Sequence, residues 1–177
     1  MKPIFRLCFT LLLIMSATLL AQDLSKKTFE KFTSKDGKFS ASFPGKPLVR
    51  KETKSSELGD IQTNLFFVPI GNHSTFYITV TDKPEAWKNT DPVELLERAR
   101  NGVKGKDGEI VTDEGIKFGP DKLPGRRFLI MKTEVTYVKN IIVLKGLRLY
   151  QVAVQGKREF VESKEVDKFF ESFELTK

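Results

Sequence analysis

The chain has few of the side chains from which most catalytic and metal sites are built. Its 177 residues include one cysteine, one histidine and one tryptophan. Cys8 lies near the start of the first apolar stretch, behind Arg6 and Leu7, whereas a lipid anchor needs its cysteine at the end of such a stretch. Beyond it there is no thiol, which excludes disulfides, thiolate catalysis and cysteine-ligated metal from the rest of the chain. His73 stands in Gly71-Asn72-His73-Ser74 and reads as an exposed loop residue. One imidazole does not make a zinc site. A Ser-His-Asp triad would have to use it, and no Gly-x-Ser-x-Gly elbow exists. The glycines of Gly102-Val103-Lys104-Gly105-Lys106-Asp107-Gly108 follow a helix, where a phosphate loop must precede one. No run of alternating oxygen ligands suggests a calcium loop. No cofactor and no metal are expected.

What is present begins with a leader. Lys2 and Arg6 give a positive start, Phe9 to Leu20 is apolar, and Ala21 ends the stretch before polar Gln22-Asp23. That order describes a secretion signal over residues 1–21. Leu19 is large for the −3 position, so a cut after Ala17 is the alternative. The apolar run is short for a spanning helix, which needs about 20 apolar residues. No second such run follows, so no transmembrane segment is expected once the leader is gone. Cleavage after Ala21 leaves 156 residues and takes away Lys2 and Arg6, lowering the net charge from +7 to +5. That is a mildly basic surface suited to anionic envelope surfaces or acidic partners, not to nucleic acid. The expected location is periplasmic or secreted.

Residues 22–31 form a polar lead-in, and residues 32–177 read as one domain without linker or repeat. A hairpin is expected around Asp36-Gly37, since Asp-Gly accepts the positive φ of a tight turn. Phe39, Ala41 and Phe43 alternate with polar residues, marking one buried face. Leu48 to Lys54 is polar and suits a sheet edge. Strands follow over Ile61 to Ile70 and Thr75 to Thr81, the second with Phe76, Ile78 and Val80 on one face. Asp91, Pro92 and Glu94 open a helix as N-cap, first residue and capping-box partner. Val93, Leu96, Arg100 and Val103 form its stripe, and Gly105 ends it. Further strands are expected over Ile110 to Phe118, Arg126 to Lys132, Glu134 to Leu144 and Leu147 to Gln155, with Lys145-Gly146 as a two-residue turn. The last three are apolar on both faces, so both faces must be covered. Helices are the expected cover. A second helix, Ser163 to Ser172, presents Val166, Phe169, Phe170 and Phe173 at helical spacing. The order of elements predicts an α+β fold, a central antiparallel sheet of about six or seven strands flanked by helices on both faces.

Several short stretches resemble a known group of small exported bacterial domains. Phe39-Ser40-Ala41-Ser42-Phe43-Pro44-Gly45-Lys46-Pro47, Leu123-Pro124-Gly125-Arg126-Arg127-Phe128, Arg148-Leu149-Tyr150-Gln151-Val152 and Lys168-Phe169-Phe170-Glu171-Ser172-Phe173 are similar to segments of the PsbP/Mog1-like superfamily. The resemblance spans about Phe32 to Leu175. It implies an antiparallel sheet with helices on both sides and mostly non-catalytic roles: accessory subunits of photosystem II, or binding of a small GTPase. In these relatives the step after Pro-Gly-Arg carries an acid, and here Arg127 stands in its place.

Four residues are candidates for ligand or partner binding. Arg126 and Arg127 are neighbours on a strand, so one of them faces a covered side, where it needs a carboxylate or an anionic ligand. An ion pair fixing the strand end is the alternative. Tyr150 and Trp87 carry polar tips on apolar rings. Tyr150 also suits the core, whereas Trp87 precedes the first helix and suits the surface. Among acids, Asp113, Glu114, Glu162, Glu165 and Asp167 are the remaining catalytic resource. The expected role is a non-enzymatic accessory or binding domain acting on an envelope protein or a small anionic ligand. The alternatives are a carboxylate-dependent hydrolase of an envelope polymer and a purely structural envelope protein.

Overall fold

Alternating apolar positions set the long strands, and the face each strand buries sets their layering. The computed structural model describes residues 27–56 and 59–177. The leader and its cleavage point therefore lie outside the described residues. Among them the chain forms ten strands and three helices: β1 (Glu30–Ser34), β2 (Phe39–Phe43), β3 (Leu48–Ser56), β4 (Gly59–Ile70), β5 (Ser74–Asp82), α1 (Pro92–Lys104), β6 (Glu109–Phe118), β7 (Leu123–Thr133), β8 (Thr136–Lys145), β9 (Arg148–Gly156), α2 (Arg158–Val161), α3 (Lys164–Glu171) and β10 (Glu174–Leu175). A single 3-10 turn, Glu85–Trp87, precedes α1. Seven strands make one antiparallel sheet in the order β3-β4-β5-β9-β8-β7-β6. The polar strand β3 lies at its edge, as its composition predicts.

The first hairpin does not join that sheet. β1, β2 and the closing strand β10 form a separate three-stranded sheet. Two clusters of buried residues explain the layering. The larger holds Phe76, Ile78 and Val80 of β5 with Leu129, Ile141 and Val152, and beneath them Phe39 and Phe43 of β2 with Val166, Phe169 and Phe170 of α3. The smaller holds Phe128, Ile130, Ile142, Leu144 and Leu149 with Leu95 and Leu96 of α1. Ile141 and Ile142 are adjacent on one strand yet fall in different clusters, as a period of two requires. The cover on the larger side is thus a small sheet as well as helices, which corrects the expectation of a helical cover alone. β2 supplies a flat apolar face of its own, and a flat face packs well on a sheet. α2, a single turn that sequence periodicity does not reveal, adds Val161 to this layer.

Local chemistry differs from the expectation in four places. The first turn spans Lys35 to Lys38, and its positive φ of 52° falls on Lys38 and not on the Asp-Gly pair. The lead-in is partly structural: β1 begins at Glu30, and Phe29 stacks edge-on with Phe76 at 5.9 Å. In α1 the Asp91 carboxylate caps Val93 N at 2.7 Å, while Glu94 pairs with Arg98 at 2.5 Å instead of closing a capping box. Val93, expected in the buried stripe, is 55% exposed, because the covered face centres on Leu95 and Leu96. The β8–β9 loop is Gly146-Leu147, one residue later than expected, with φ 61° at Gly146, the first position of a II′-type turn. Gly125 answers a different need: a Cβ there would lie 2.8 Å from the Ile142 carbonyl oxygen.

Phe169 is fully buried, with ring centroids 5.1 Å from both Phe43 and Phe76. Phe169→Ala is expected to cost about 3–5 kcal/mol, the usual penalty for emptying a phenylalanine site in a core. Urea unfolding followed by circular dichroism measures it.

Candidate functional site

The four candidate residues occupy four different places, and the structure brings no two of them into one site. Arg126 and Arg127 point to opposite faces of β7. Arg126 is on the α1 side, its side chain 17% exposed, and grips Asp113 with Nε at 2.5 Å from Oδ1 and Nη2 at 2.8 Å from Oδ2. The antiparallel pairing of β6 with β7 sets Asp113 beside it. Arg100 of α1 bonds the same carboxylate, and Glu97 stands 3.8 Å from Arg126. Burial pushes the Asp113 carboxyl up, but the hydrogen bonds from Arg126 and Arg100 outweigh that and hold it below the usual range. Arg126 therefore takes the ion-pair role and ties helix to sheet.

Arg127 is half-exposed and pairs with Glu114 at 3.0 Å. It rims a shallow hollow of about 260 Å³ on the α3 side, where Lys139 pairs with Asp167 at 2.7 Å. Tyr150 is 1% exposed, its ring 6.1 Å from Phe173. Burial pushes its phenol up, with Arg148 opposing. Trp87 is partly buried and packs against the second core. Its buried Nε1 has no hydrogen-bond partner among the described residues. Lys83 Nζ lies 4.7 Å from its ring centroid and the Arg98 guanidinium carbon 5.6 Å. The carboxylates Asp113, Glu114, Asp167 and Glu162 each carry a basic partner.

A site that sequence reasoning missed lies on the α1 side of the sheet. α1 packs on β7 and β8. Beyond it, cross-strand partners form rows over β3, β4, β5 and β9: Leu48, Phe67, Tyr77 and Ala153, then Arg50, Leu65, Thr79 and Gln151, then Glu52, Thr63, Thr81 and Leu149. Phe67, Tyr77, Leu65, Thr79 and Thr81 remain half-buried, and Leu48 is 56% exposed. Between these rows and α1 runs an open groove of about 460 Å³. Ala99, Gly102 and Val103 form its helical wall, and Tyr77, Thr81, Gln151 and Gln155 its floor.

The floor is wired by side chains. Thr79 Oγ1 donates to Gln151 Oε1 at 3.4 Å, Gln151 Nε2 to Asn140 Oδ1 at 2.8 Å, and Asn140 Nδ2 to the Val138 carbonyl at 3.1 Å. The Thr63 and Thr81 hydroxyls are 3.1 Å apart. Two ammonium groups border the groove. Lys132 Nζ donates to the Val103 and Lys104 carbonyls at 2.8 and 3.0 Å, capping the end of α1. Lys83 is partly buried, and burial pushes its titration down. Burial also pushes the Tyr77 phenol up to about 12. The only sequence signal for this site is polar residues on one face of strands whose other face is apolar. That pattern equally describes a solvated surface.

Replacing Asp113 with Asn leaves two neighbouring guanidinium groups short of a counter-charge. Asp113→Asn is expected to cost about 1–3 kcal/mol at neutral pH. Because the folded carboxyl titrates below its unfolded value, its contribution is complete above about pH 4 and fades as pH falls through the lowered value. The gap between wild type and variant in urea midpoints should therefore close in strong acid.

No protein-family model matches the sequence. No curated protein matches it either. Among solved structures, the chain is similar to the solution structure of cyanobacterial PsbP (CyanoP) from Synechocystis sp. PCC 6803, at a TM-score of 0.56 and 12% identity. The match covers 84% of this chain and 93% of that one. The sheet-rich architecture, with its seven-stranded antiparallel sheet and few helices, is a PsbP-like fold.

Proposed function

We propose that the domain is an exported, non-enzymatic accessory or binding module that acts by contact, in the periplasm or outside the cell, on an envelope protein or a small anionic ligand. The contact surface in this reading is the open groove beside α1. The observation that carries it is the partial cover of the sheet. α1 seals only one end of that face, and the uncovered floor presents hydroxyl, amide and ammonium groups around half-buried aromatic rings. Such a mixture of apolar floor and few convergent polar groups suits recognition. Export is supported by the charged start, apolar run and small residue at 1–21. Among the described residues no helix is long and apolar enough to cross a membrane. An accessory role agrees with the PsbP-like fold, although fold alone does not transmit function.

Two measurements test this. The intact mass of protein recovered from outside the cytoplasm should correspond to a chain starting at Gln22 or Thr18. A full-length chain held in the cytoplasm counts against export. A photo-crosslinking residue at Gln155 should capture a defined envelope component in the living source cell, and one at exposed His73 should not. Identical capture at both positions, or none at either, removes the groove as the contact surface.

A further inference from the structure

Charge along the groove is one-sided. Lys83 and Lys132 line it, and no aspartate or glutamate does among the described residues. Several other partly buried cations are neutralised: Arg126 and Arg100 by Asp113, Arg148 by Asp82, Lys139 by Asp167. Lys83 has no carboxylate within ion-pair distance among the described residues. Asp82, its chain neighbour, is already committed. Both Asp82 oxygens accept from Arg148, at 2.6 and 2.8 Å, on the opposite strand. The Lys83 ammonium is thus left with the Trp87 ring at 4.7 Å as its recorded partner. A cation partly withdrawn from water with no anion beside it is one that a bound anion would stabilise.

The rest of the groove says what the anion should be attached to. Val103, Val138 and Leu149 give an apolar wall, Tyr77 a half-buried ring, and the volume of about 460 Å³ suits a body of ring size, larger than a bare ion. The Tyr77 hydroxyl and the Gln155 amide make no hydrogen bond to a described side chain and stand at the same floor.

We propose that the groove between α1 and the open half of the sheet binds an organic anion, its carboxylate or phosphoryl group on Lys83 and its apolar body against Tyr77 and the α1 wall. This rests on the groove being the working surface of the domain and goes on to name the class of ligand.

Titration of the whole secreted chain with benzoate, phenyl phosphate and uncharged benzamide, followed by amide NMR, tests it. Benzoate or phenyl phosphate should give saturable shifts at Thr81, Lys83, Gln151 and Gln155, and whichever binds tighter identifies the acid group. Benzamide should bind at least fivefold more weakly. Lys83→Gln should weaken the anion at least fivefold and Lys83→Arg should retain it. Tyr77→Phe, which keeps the ring, reports on the hydroxyl and should weaken binding about two- to fivefold. Each variant must keep the dispersed amide spectrum of the wild type. Equal binding of benzamide, shifts centred instead on Arg127 and Lys139, or indifference to Lys83→Gln would overturn the proposal. Capture of a partner at Gln155 together with no anion binding would sink the ligand class and leave the contact surface standing.

Discussion

The Phe169 ring sits where three parts of the chain meet. Its edge-on contacts with Phe43 and Phe76, each at 5.1 Å, join the closing helix to the N-terminal hairpin and both to the middle of the central sheet. Phe39 extends the same layer to Phe66 at 5.0 Å and Phe173 at 5.9 Å. In a chain without a disulfide, this aromatic layer is what brings residues more than a hundred positions apart into register. β10 pairs with β2 directly after Phe173, which is anchored in the layer. Edge-to-face rings add roughly 0.5–1.5 kcal/mol per pair beyond the area they bury. The cluster therefore specifies the orientation of the cover as well as holding it.

Covering one face so completely leaves little chain for the other. Seven strands at about 4.8 Å spacing make a sheet about 29 Å across. A helix with its side chains is about 10–12 Å wide. One helix can therefore seal two or three strands, and α1 seals β7, β8 and the neighbouring Leu149 of β9. The open rows over β3, β4 and β5 follow from that arithmetic. The groove is the step between the covered and uncovered halves. Its depth is set by α1, which Arg126 and Arg100 fasten to β6 through Asp113. The ion cluster thus contributes to any function of the groove without touching what binds there.

This division explains what could be read in the residues before folding. Phe76, Ile78 and Val80 alternate with threonines and tyrosine, so both the strand and its buried face are plain. Ser163 and Ser172 bracket the aromatic stripe and turn out to be the two caps of α3. Local pattern suffices in such cases because burial follows the backbone period. The separate small sheet was not legible, because nothing local tells a hairpin which layer to join. Nor was the meeting of Lys83, Tyr77, Lys132 and Gln155, contributed by three stretches of chain and assembled by strand order. The arginine pair was half legible: adjacency on a strand guarantees opposite faces, but only the β6–β7 register shows Asp113 to be the partner. Trp87 was half legible: its position ahead of α1 suggests exposure, and the 3-10 turn that it closes lays the ring partly against the second core.

The contrast between Arg126 and Lys83 carries the energetic argument furthest. Both are partly buried cations on the same side of the sheet. Arg126 has a bidentate carboxylate, so its charge is favoured by the fold. Lys83 titrates below the ordinary lysine range because burial disfavours its charged form. The unfolded chain then holds that proton more tightly than the folded one. Charged Lys83 thus subtracts from stability at neutral pH, and the deficit closes as pH rises toward the lysine range. A packed apolar side chain at this position would carry no such cost. An anion bound only by the folded state offsets it, and stabilises the fold in proportion to the logarithm of its concentration above the dissociation constant. The burial that makes the charge of Lys83 a cost to the fold is what would make it the anchor for the anion proposed above.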